Sequence, residues 1–110
     1  MSFRDVIEHA DFETFTDALA PDVVWVGIQP GLLCRNREQV IETMRGWIDA
    51  GHAVRPEVVG EKENLIVLDP HVDPPNWIPE LHQVFVVDGD RIVEIRDYTN
   101  RGAALEAVGL

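Results

Sequence analysis

The stretch VVDGDRIV at residues 86–93 predicts a β-hairpin near the end of the chain. Gly89 and Asp90 form a two-residue loop with glycine first, which is the chemistry of a type II′ turn. β-Branched residues flank the loop on both sides, and Asp88 stands opposite Arg91 as a pair of opposite charge. The two flanking strands are therefore expected to be antiparallel neighbours.

The register of this hairpin decides which side chains share a face of the sheet. Counting outward from the pair Asp88 and Arg91, His82 faces Asp97 directly across the ladder. A three-residue loop would instead set His82 against Arg96, which is a less favourable cross-strand pair. The first register is preferred, and it places a histidine beside a carboxylate at the polar end of an apolar face.

His82 and Asp97 are the candidate catalytic residues. Burial raises the pKa of a carboxyl group and a neighbouring imidazolium lowers it, so one member of such a pair can titrate near neutrality and transfer protons. Similar pairs also occur at the ends of sheets as satisfied polar groups without a chemical role. Both interpretations stay open on the sequence.

The rest of the chain predicts helices first and strands afterwards. Apolar residues at helical spacing over 3–19 predict two short helices or one bent helix, and 23–28 predict the first strand. A helix of about four turns follows, with Asn36 as its N-cap and Gly51 as its stop. Four strand patterns follow, at 52–61, 64–72, 80–88 and 91–100. A short helix or a frayed tail completes the chain at 101–110.

This order of elements is typical of an α+β fold. We expect helices on one face of a curved antiparallel or mixed sheet, with a cone-shaped pocket between them. The length of 110 residues is close to that of one compact domain, so a single domain over residues 1–110 is predicted.

Charge and composition argue against several classes of partner. The chain carries 20 acidic and 9 basic residues, and its net charge of -11 repels phosphate backbones and anionic lipids, so neither nucleic acid nor membrane is expected. Residues 1–13 lack the apolar core of a signal peptide, and no run is long enough to cross a membrane. Cys34 is the only cysteine and belongs to no metal motif. We expect a cytoplasmic protein.

The proline-rich loop 69–80 holds two further features. Asp69, His71 and Asp73 alternate and offer oxygen and nitrogen ligands, but the surrounding prolines favour a solvated loop over a metal site. Trp77 is a candidate lid over the pocket or an anchor in a subunit interface. Because no phosphate-binding loop or zinc motif occurs, no cofactor and no metal are expected.

Three parts of the chain, in this order, resemble the SnoaL-like branch of the nuclear-transport-factor-2-like (NTF2-like) superfamily. They are DFETFTDALAPDVVW at 11–25, CRNREQVIETMRGWI at 34–48 and FVVDGDRIVEIRDYTNRGAAL at 85–105. The resemblance implies a cone-shaped fold with a deep apolar pocket, often in a homodimer that pairs through the outer sheet face. Known members include polyketide cyclases, ketosteroid isomerase, limonene epoxide hydrolase and scytalone dehydratase, so the fold leaves the function open.

Residue by residue, the resemblance is partial. Asp97 is similar to the general-acid aspartate in the WRDYFD stretch of limonene epoxide hydrolase, but the other catalytic residues of that enzyme have no counterparts at 25–27 and 64–66. The positions of the ketosteroid isomerase base and tyrosine, near Gly27 and Phe3, are also unfilled. Cyclases of the SnoaL type use a His and an Asp on the last strands, which His82 and Asp97 resemble most.

Taken together, the residues and the resemblance predict a small-molecule pocket protein that works without a cofactor. As an enzyme of the isomerase, cyclase or hydrolase type, it would transfer a proton on a hydrophobic substrate. The alternatives are a non-catalytic module that binds an apolar ligand and a dimerisation module with a filled cavity. The residues predicted to line the pocket are Trp25, Trp47, Val84, Ile95 and Tyr98.

Overall fold

The structure is a computed structural model that describes residues 3–9, 11–28, 33–73 and 81–110. Its four helices are α1 Phe3–His9, α2 Phe12–Asp17, α3 Arg37–Asp49 and α4 Arg101–Ala107. Its strands are β1 Leu19–Val26, β2 Leu33–Cys34, β3 Ala53–Val54, β4 Glu57–Lys62, β5 Leu65–Asp69, β6 Val72–Asp73, β7 His82–Asp88 and β8 Arg91–Tyr98. None of the helices among these residues is both long and apolar enough to cross a membrane.

Six strands form one curved sheet in the order β2-β1-β8-β7-β5-β4, and β3 pairs with β6 in a separate ribbon. The sheet is mixed, since β1 runs parallel to β8 and the other neighbours are antiparallel. The predicted α+β fold, with helices on a curved mixed sheet, is confirmed.

The N-terminal region forms the two short helices that the apolar spacing allowed. Asp11 separates them, and its side chain accepts a hydrogen bond from the backbone N–H of Thr14, as an N-cap does. The first strand starts earlier than predicted, at Leu19, and includes Pro21. Pro21 has no N–H to donate, and it lies in the interval where the pairing of β1 with β8 is interrupted, between Leu19 and Val24.

The longest helix, α3, has the predicted boundaries. Asn36 Oδ1 accepts the backbone N–H of Gln39 at 2.9 Å, and Gly51 follows the helix in the left-handed region with φ 93°. The last residues form α4, a short helix capped in the same way by Asn100. The strand pattern at 52–61 is split into β3 and β4, and Pro56 lies between them.

The sheet has an inner face, covered by α1–α3, and an outer face, on which α4 packs. The main core lies on the inner face and contains Trp25, Phe85, Ile92 and Ile95. A smaller core on the outer face consists of Val67, Val84, Ala104 and Val108, with Tyr98 packed against it.

The β7–β8 hairpin has the predicted turn but not the predicted register beyond it. Gly89 takes a positive φ of 62°, and Asp88 pairs with Arg91 as expected. Two residues further along, Val93 is an extra residue in β8, so that Val86 pairs with Glu94. Such a β-bulge shifts every later pair by one position.

The predicted pairing of His82 with Asp97 is therefore wrong. His82 lies opposite Tyr98, and Asp97 lies opposite Gln83. The physical reason is burial. Ile92 and Ile95 are both fully buried in the inner core although they are three positions apart, which strict alternation along a strand does not allow.

Candidate functional site

A cavity of about 430 Å³ lies between the inner face of the sheet and helices α1–α3. Small-molecule sites commonly have volumes of about 300–1,000 Å³. Its apolar lining residues are Ile7, Phe12, Phe15, Met44, Trp47, Ile48, Ala53, Val54, Pro56, Leu68, Pro70 and Phe85. The three polar ones are Asp11, His52 and Gln83. The cavity is therefore suited to a mainly hydrophobic molecule.

The helices that form the roof are held by specific contacts. Glu8 Oε2 accepts the backbone N–H of Val58 at 3.1 Å, which ties α1 to β4. The Phe15 ring of α2 packs on Phe85 of β7, with ring centroids 6.0 Å apart. These contacts hold α1 and α2 against the sheet.

The cavity has a buried floor and an exposed rim. Leu68, Gln83 and Phe85 of the sheet form the floor and are at most 3% exposed. Ile48 and Val54 belong to the rim, and they are 47% and 39% exposed although they are apolar. Apolar side chains left exposed at a concave surface are typical of the mouth of a binding site.

Gln83 joins the floor of the cavity to Asp97. Its Nε2 donates to Asp97 Oδ1 at 2.9 Å, and Trp25 Nε1 donates to the same oxygen at 2.9 Å. The fully buried Trp25 ring stands edge-on to Trp47, with centroids 5.5 Å apart, and Trp47 lines the cavity. Asp97 is half-buried and lies behind this layer of side chains.

The environment of Asp97 makes its ionisation less favourable than in water. Burial raises the pKa of Asp97, and the hydrogen bonds from Gln83, Trp25 and the backbone N–H of Ile28 lower it by less, so the pKa lies above its ordinary value. None of these donors is a charged group, and no other partner of Asp97 occurs among the residues that the structure describes. A carboxyl group with a raised pKa can take up and release protons closer to neutral pH.

His82 lies on the outer face, away from the cavity. Its Nδ1 contacts Asp69 Oδ1, and Arg101 Nη2 donates to Asp69 Oδ2. His82 and Asp69 are 5% and 3% exposed. Burial raises the pKa of Asp69, but the hydrogen bonds and charges of His82 and Arg101 lower it by more, and the pKa lies below its ordinary value. This trio fastens α4 to the ends of β5 and β7.

Of the five residues predicted to line the pocket, only Trp47 lines this cavity. Trp25 and Ile95 are on the inner face but are fully buried in the core. Val84 and Tyr98 are on the outer face, so their assignment to the pocket is wrong. For Val84 the reason is the one-residue shift at Val93, which places Val84 and Ile95 on opposite faces although they were expected to share one. For Tyr98 the reason is alternation, because a residue adjacent to Asp97 in β8 lies on the other face of the sheet.

The sequence analysis missed Gln83, although one signal pointed to it. His82 and Gln83 are adjacent polar residues directly before the apolar run 84–87 of the same strand, so one of the two had to face the inner side of the sheet. Both are buried, and it is Gln83 that reaches the cavity.

One group on the outer side has the composition of a metal site. Glu57, Asp69 and His71 each offer one ligand atom, and these atoms lie within 4.8 Å of one another. His71 Nε2 already contacts Glu57 Oε1 at 3.1 Å, and Arg101 donates to Asp69. The positive charge of Arg101 opposes a cation at this point. Trp77 and the proline-rich stretch around it, 74–80, lie outside the described residues.

The sequence matches no family model and no curated protein. The structure is similar to a proposed polyketide cyclase from Sinorhizobium meliloti, with TM-score 0.66 and 15% identity over 87% of this chain and 89% of that one. It is also similar to an LEH-like epoxide hydrolase from M. tuberculosis, with TM-score 0.61 and 18% identity over 96% and 83%. An NTF2-like protein of unknown function from Cytophaga hutchinsonii has TM-score 0.64 and 17% identity over 80% and 84%. At such identities the likeness establishes the fold alone.

Proposed function

We propose that this chain, whose fold is that of the NTF2-like superfamily, binds a small hydrophobic molecule in the cavity under α1–α3. The observation that carries the proposal is the cavity itself, about 430 Å³ with a buried floor and twelve apolar lining residues. Transfer of apolar ligand surface from water into such a cavity is favourable at about 25 cal/mol per Å². The polyketide cyclase and epoxide hydrolase neighbours, which share the fold, support a small-molecule role.

The positions of Trp25 and Trp47 argue against the alternative of a dimerisation module whose cavity is filled by side chains. Trp25 packs into the core behind Trp47, and Trp47 lines the cavity without filling it. This placement favours ligand binding over a purely structural dimerisation role. The homodimer expected from the resemblance stays a prediction, which sedimentation velocity would check through a mass twice that of one chain.

Binding is tested by isothermal titration with 2-methoxynaphthalene, an apolar molecule smaller than the cavity. We expect a single site on the wild-type protein and a loss of about tenfold or more in affinity for Ala53→Trp, because an indole placed at this lining residue occupies the cavity. Ala50→Trp is the matched control, since Ala50 is exposed and does not belong to the lining. Equal loss in both variants, or no wild-type binding, would contradict the proposal.

Proton transfer by Asp97 is a second candidate function. It is favoured by one specific observation, the 2.9 Å hydrogen bond that joins the Asp97 carboxyl group to Gln83 of the cavity floor, and burial raises the pKa of that carboxyl group. No part of this role uses His82, which is paired with Asp69 on the other face. Because Asp97 lies behind Gln83 and is not among the described lining residues, it would act as the base or acid through a water molecule held beside Gln83.

A general-base probe tests this role without knowledge of the natural substrate. In 5-nitrobenzisoxazole a base removes the proton at C3, the C–H electrons form the nitrile and the N–O bond breaks to give 2-cyano-4-nitrophenolate, which is coloured. We expect the wild-type rate to fall about 100-fold in Asp97→Asn, in line with general-base catalysis. Asp88→Asn, at an exposed residue beside the turn, is the control. An unchanged rate in Asp97→Asn would rule out Asp97 as the base.

A further inference from the structure

Among the described residues that line the cavity, Gln83 is the one polar side chain that is buried. It is 3% exposed, whereas Asp11 is exposed at the rim and His52 is half-buried. A polar side chain on an apolar floor fixes the orientation of a ligand, because each hydrogen-bonding group there must be matched or left unpaired.

The orientation of the Gln83 amide follows from its neighbours. The Trp25 indole can only donate, so Asp97 Oδ1 accepts from it, and the same oxygen lies 2.9 Å from the Gln83 amide. Gln83 Nε2 is the donor to this oxygen, so the Gln83 NH₂ group faces Asp97. The Gln83 carbonyl oxygen therefore points away from Asp97.

This carbonyl oxygen has no hydrogen-bond donor within residues 3–9, 11–28, 33–73 and 81–110. It is nevertheless not sealed off, because none of the described side chains has a fully buried polar atom without a partner. In the free protein, water can reach it through the cavity. A ligand that fills the floor excludes that water and must supply a donor of its own to avoid an unpaired acceptor.

We propose that Gln83 is a specificity-determining residue and that the ligand is a hydrophobic molecule with a hydroxyl or N–H group on the end that reaches the floor. Gln83 accepts the hydrogen bond from this group, and Asp97 and Trp25 hold the amide in place. The inference rests on the proposed binding function and adds the class of ligand to it.

Two probes of nearly the same shape separate the hydrogen bond from the apolar contact. 2-Naphthol has a donor and 2-methoxynaphthalene has none. We expect the wild-type protein to bind 2-naphthol about tenfold more tightly by isothermal titration, the effect of one hydrogen bond whose loss leaves a group unpaired. In Gln83→Met, which keeps the side-chain length and removes the acceptor, the two affinities should become equal. Gln39→Met, at an exposed residue outside the lining, should keep the preference.

The outcomes are distinguishable. Equal wild-type affinities, or a preference that survives in Gln83→Met, overturn the role of Gln83 and leave the binding function standing. Failure of the wild-type protein to bind either probe overturns the binding function as well. Should Gln83→Met not fold, nuclear Overhauser contacts between the Gln83 side-chain amide protons and 2-naphthol in the wild-type complex decide the matter. Their presence supports the inference and their absence overturns it.

Discussion

Two carboxylates on the same sheet, Asp69 and Asp97, have opposite surroundings. Asp69 is on the outer face, where His82 and Arg101 contact both of its oxygens and the pKa lies below its ordinary value. Asp97 is on the inner face, where its hydrogen-bond donors are neutral and the pKa lies above its ordinary value. The sheet thus stabilises one charge and disfavours the other.

The difference indicates what each carboxylate contributes. Asp69 joins two strands to α4 through charged hydrogen bonds, which are roughly twice as strong as neutral ones. The pKa of Asp97, next to the cavity floor, is raised. Its charge adds little to the stability of the fold, because the oxygen of an amide could accept the same hydrogen bonds. Groups with pKa values perturbed by desolvation are concentrated at functional sites. We therefore expect substitution of Asp69 to affect folding and substitution of Asp97 to affect chemistry.

The largest effect is expected for Asp69→Asn. The change removes the charge that compensates Arg101 and leaves buried groups poorly matched, at a cost of about 3 kcal/mol in the free energy of unfolding. Urea denaturation at pH 7 measures it. Asp73→Asn, at an exposed residue of β6, is the control and should change the stability by less than about 0.5 kcal/mol. If the two variants are equally stable, the outer trio is not a structural clamp.

A smaller effect is expected for Trp25→Phe, which acts on the inner carboxylate. The change removes the N–H donor to Asp97 and part of a fully buried ring, and we expect a loss of about 2 kcal/mol. It should also raise the pKa of Asp97 further, because one of the hydrogen bonds that lower it is lost. Carbon-detected NMR titration of the carboxyl group measures the pKa.

Trp47→Phe is the matched control for this change. Trp47 touches the Trp25 ring but is not among the donors that lower the pKa of Asp97. Its replacement should leave that pKa closer to the wild-type value. An equal upward shift in both variants would show that the aromatic packing, and not the Trp25 N–H, controls the titration of Asp97.

Local structure could be predicted from the sequence, whereas the face of the sheet on which a side chain lies could not. Local signals such as the caps Asp11 and Asn36 and the turn at Gly89 predicted helices and a hairpin correctly, because each depends on a few neighbouring residues. The face on which His82 lies could not be obtained in this way. It depends on the bulge at Val93, which arises from tertiary burial.

One pattern in β8 could have indicated the bulge. Ile92 and Ile95 are large apolar residues three positions apart, and an unbroken strand would place them on opposite faces. Only an extra residue between them lets both enter the inner core, as they do. The same extra residue brings Asp97 to the cavity side, so the candidate site depended on an irregularity that alternation alone does not reveal.

The smallest effect concerns the pH dependence of stability, where the two carboxylates should have opposite signs. The folded-state pKa of Asp69 is depressed, so its contribution is present above the unfolded pKa of about 3.9 and is lost as the pH falls through the folded value. The folded-state pKa of Asp97 is raised, so the folded protein binds the extra proton. Its unfolding free energy then decreases as the pH rises from about 3.9 through the folded value.

Asp97→Asn removes the loss of unfolding free energy that accompanies ionisation of Asp97. The hydrogen bonds are kept, since a neutral amide oxygen can still accept from Trp25 and Gln83. Relative to wild type, the variant should gain unfolding free energy as the pH rises above about 3.9 and through the raised folded-state pKa, by less than either substitution above costs. Asp69→Asn should be less stable than the wild type by a constant amount above about pH 3.9, and this deficit should shrink as the pH falls further, because the wild-type carboxylate is then protonated. Denaturation curves for the three proteins from about pH 2 to pH 8 measure both trends. Parallel trends would mean that Asp97 is held as a charged structural group, and its role as a proton-transfer residue would have to be abandoned.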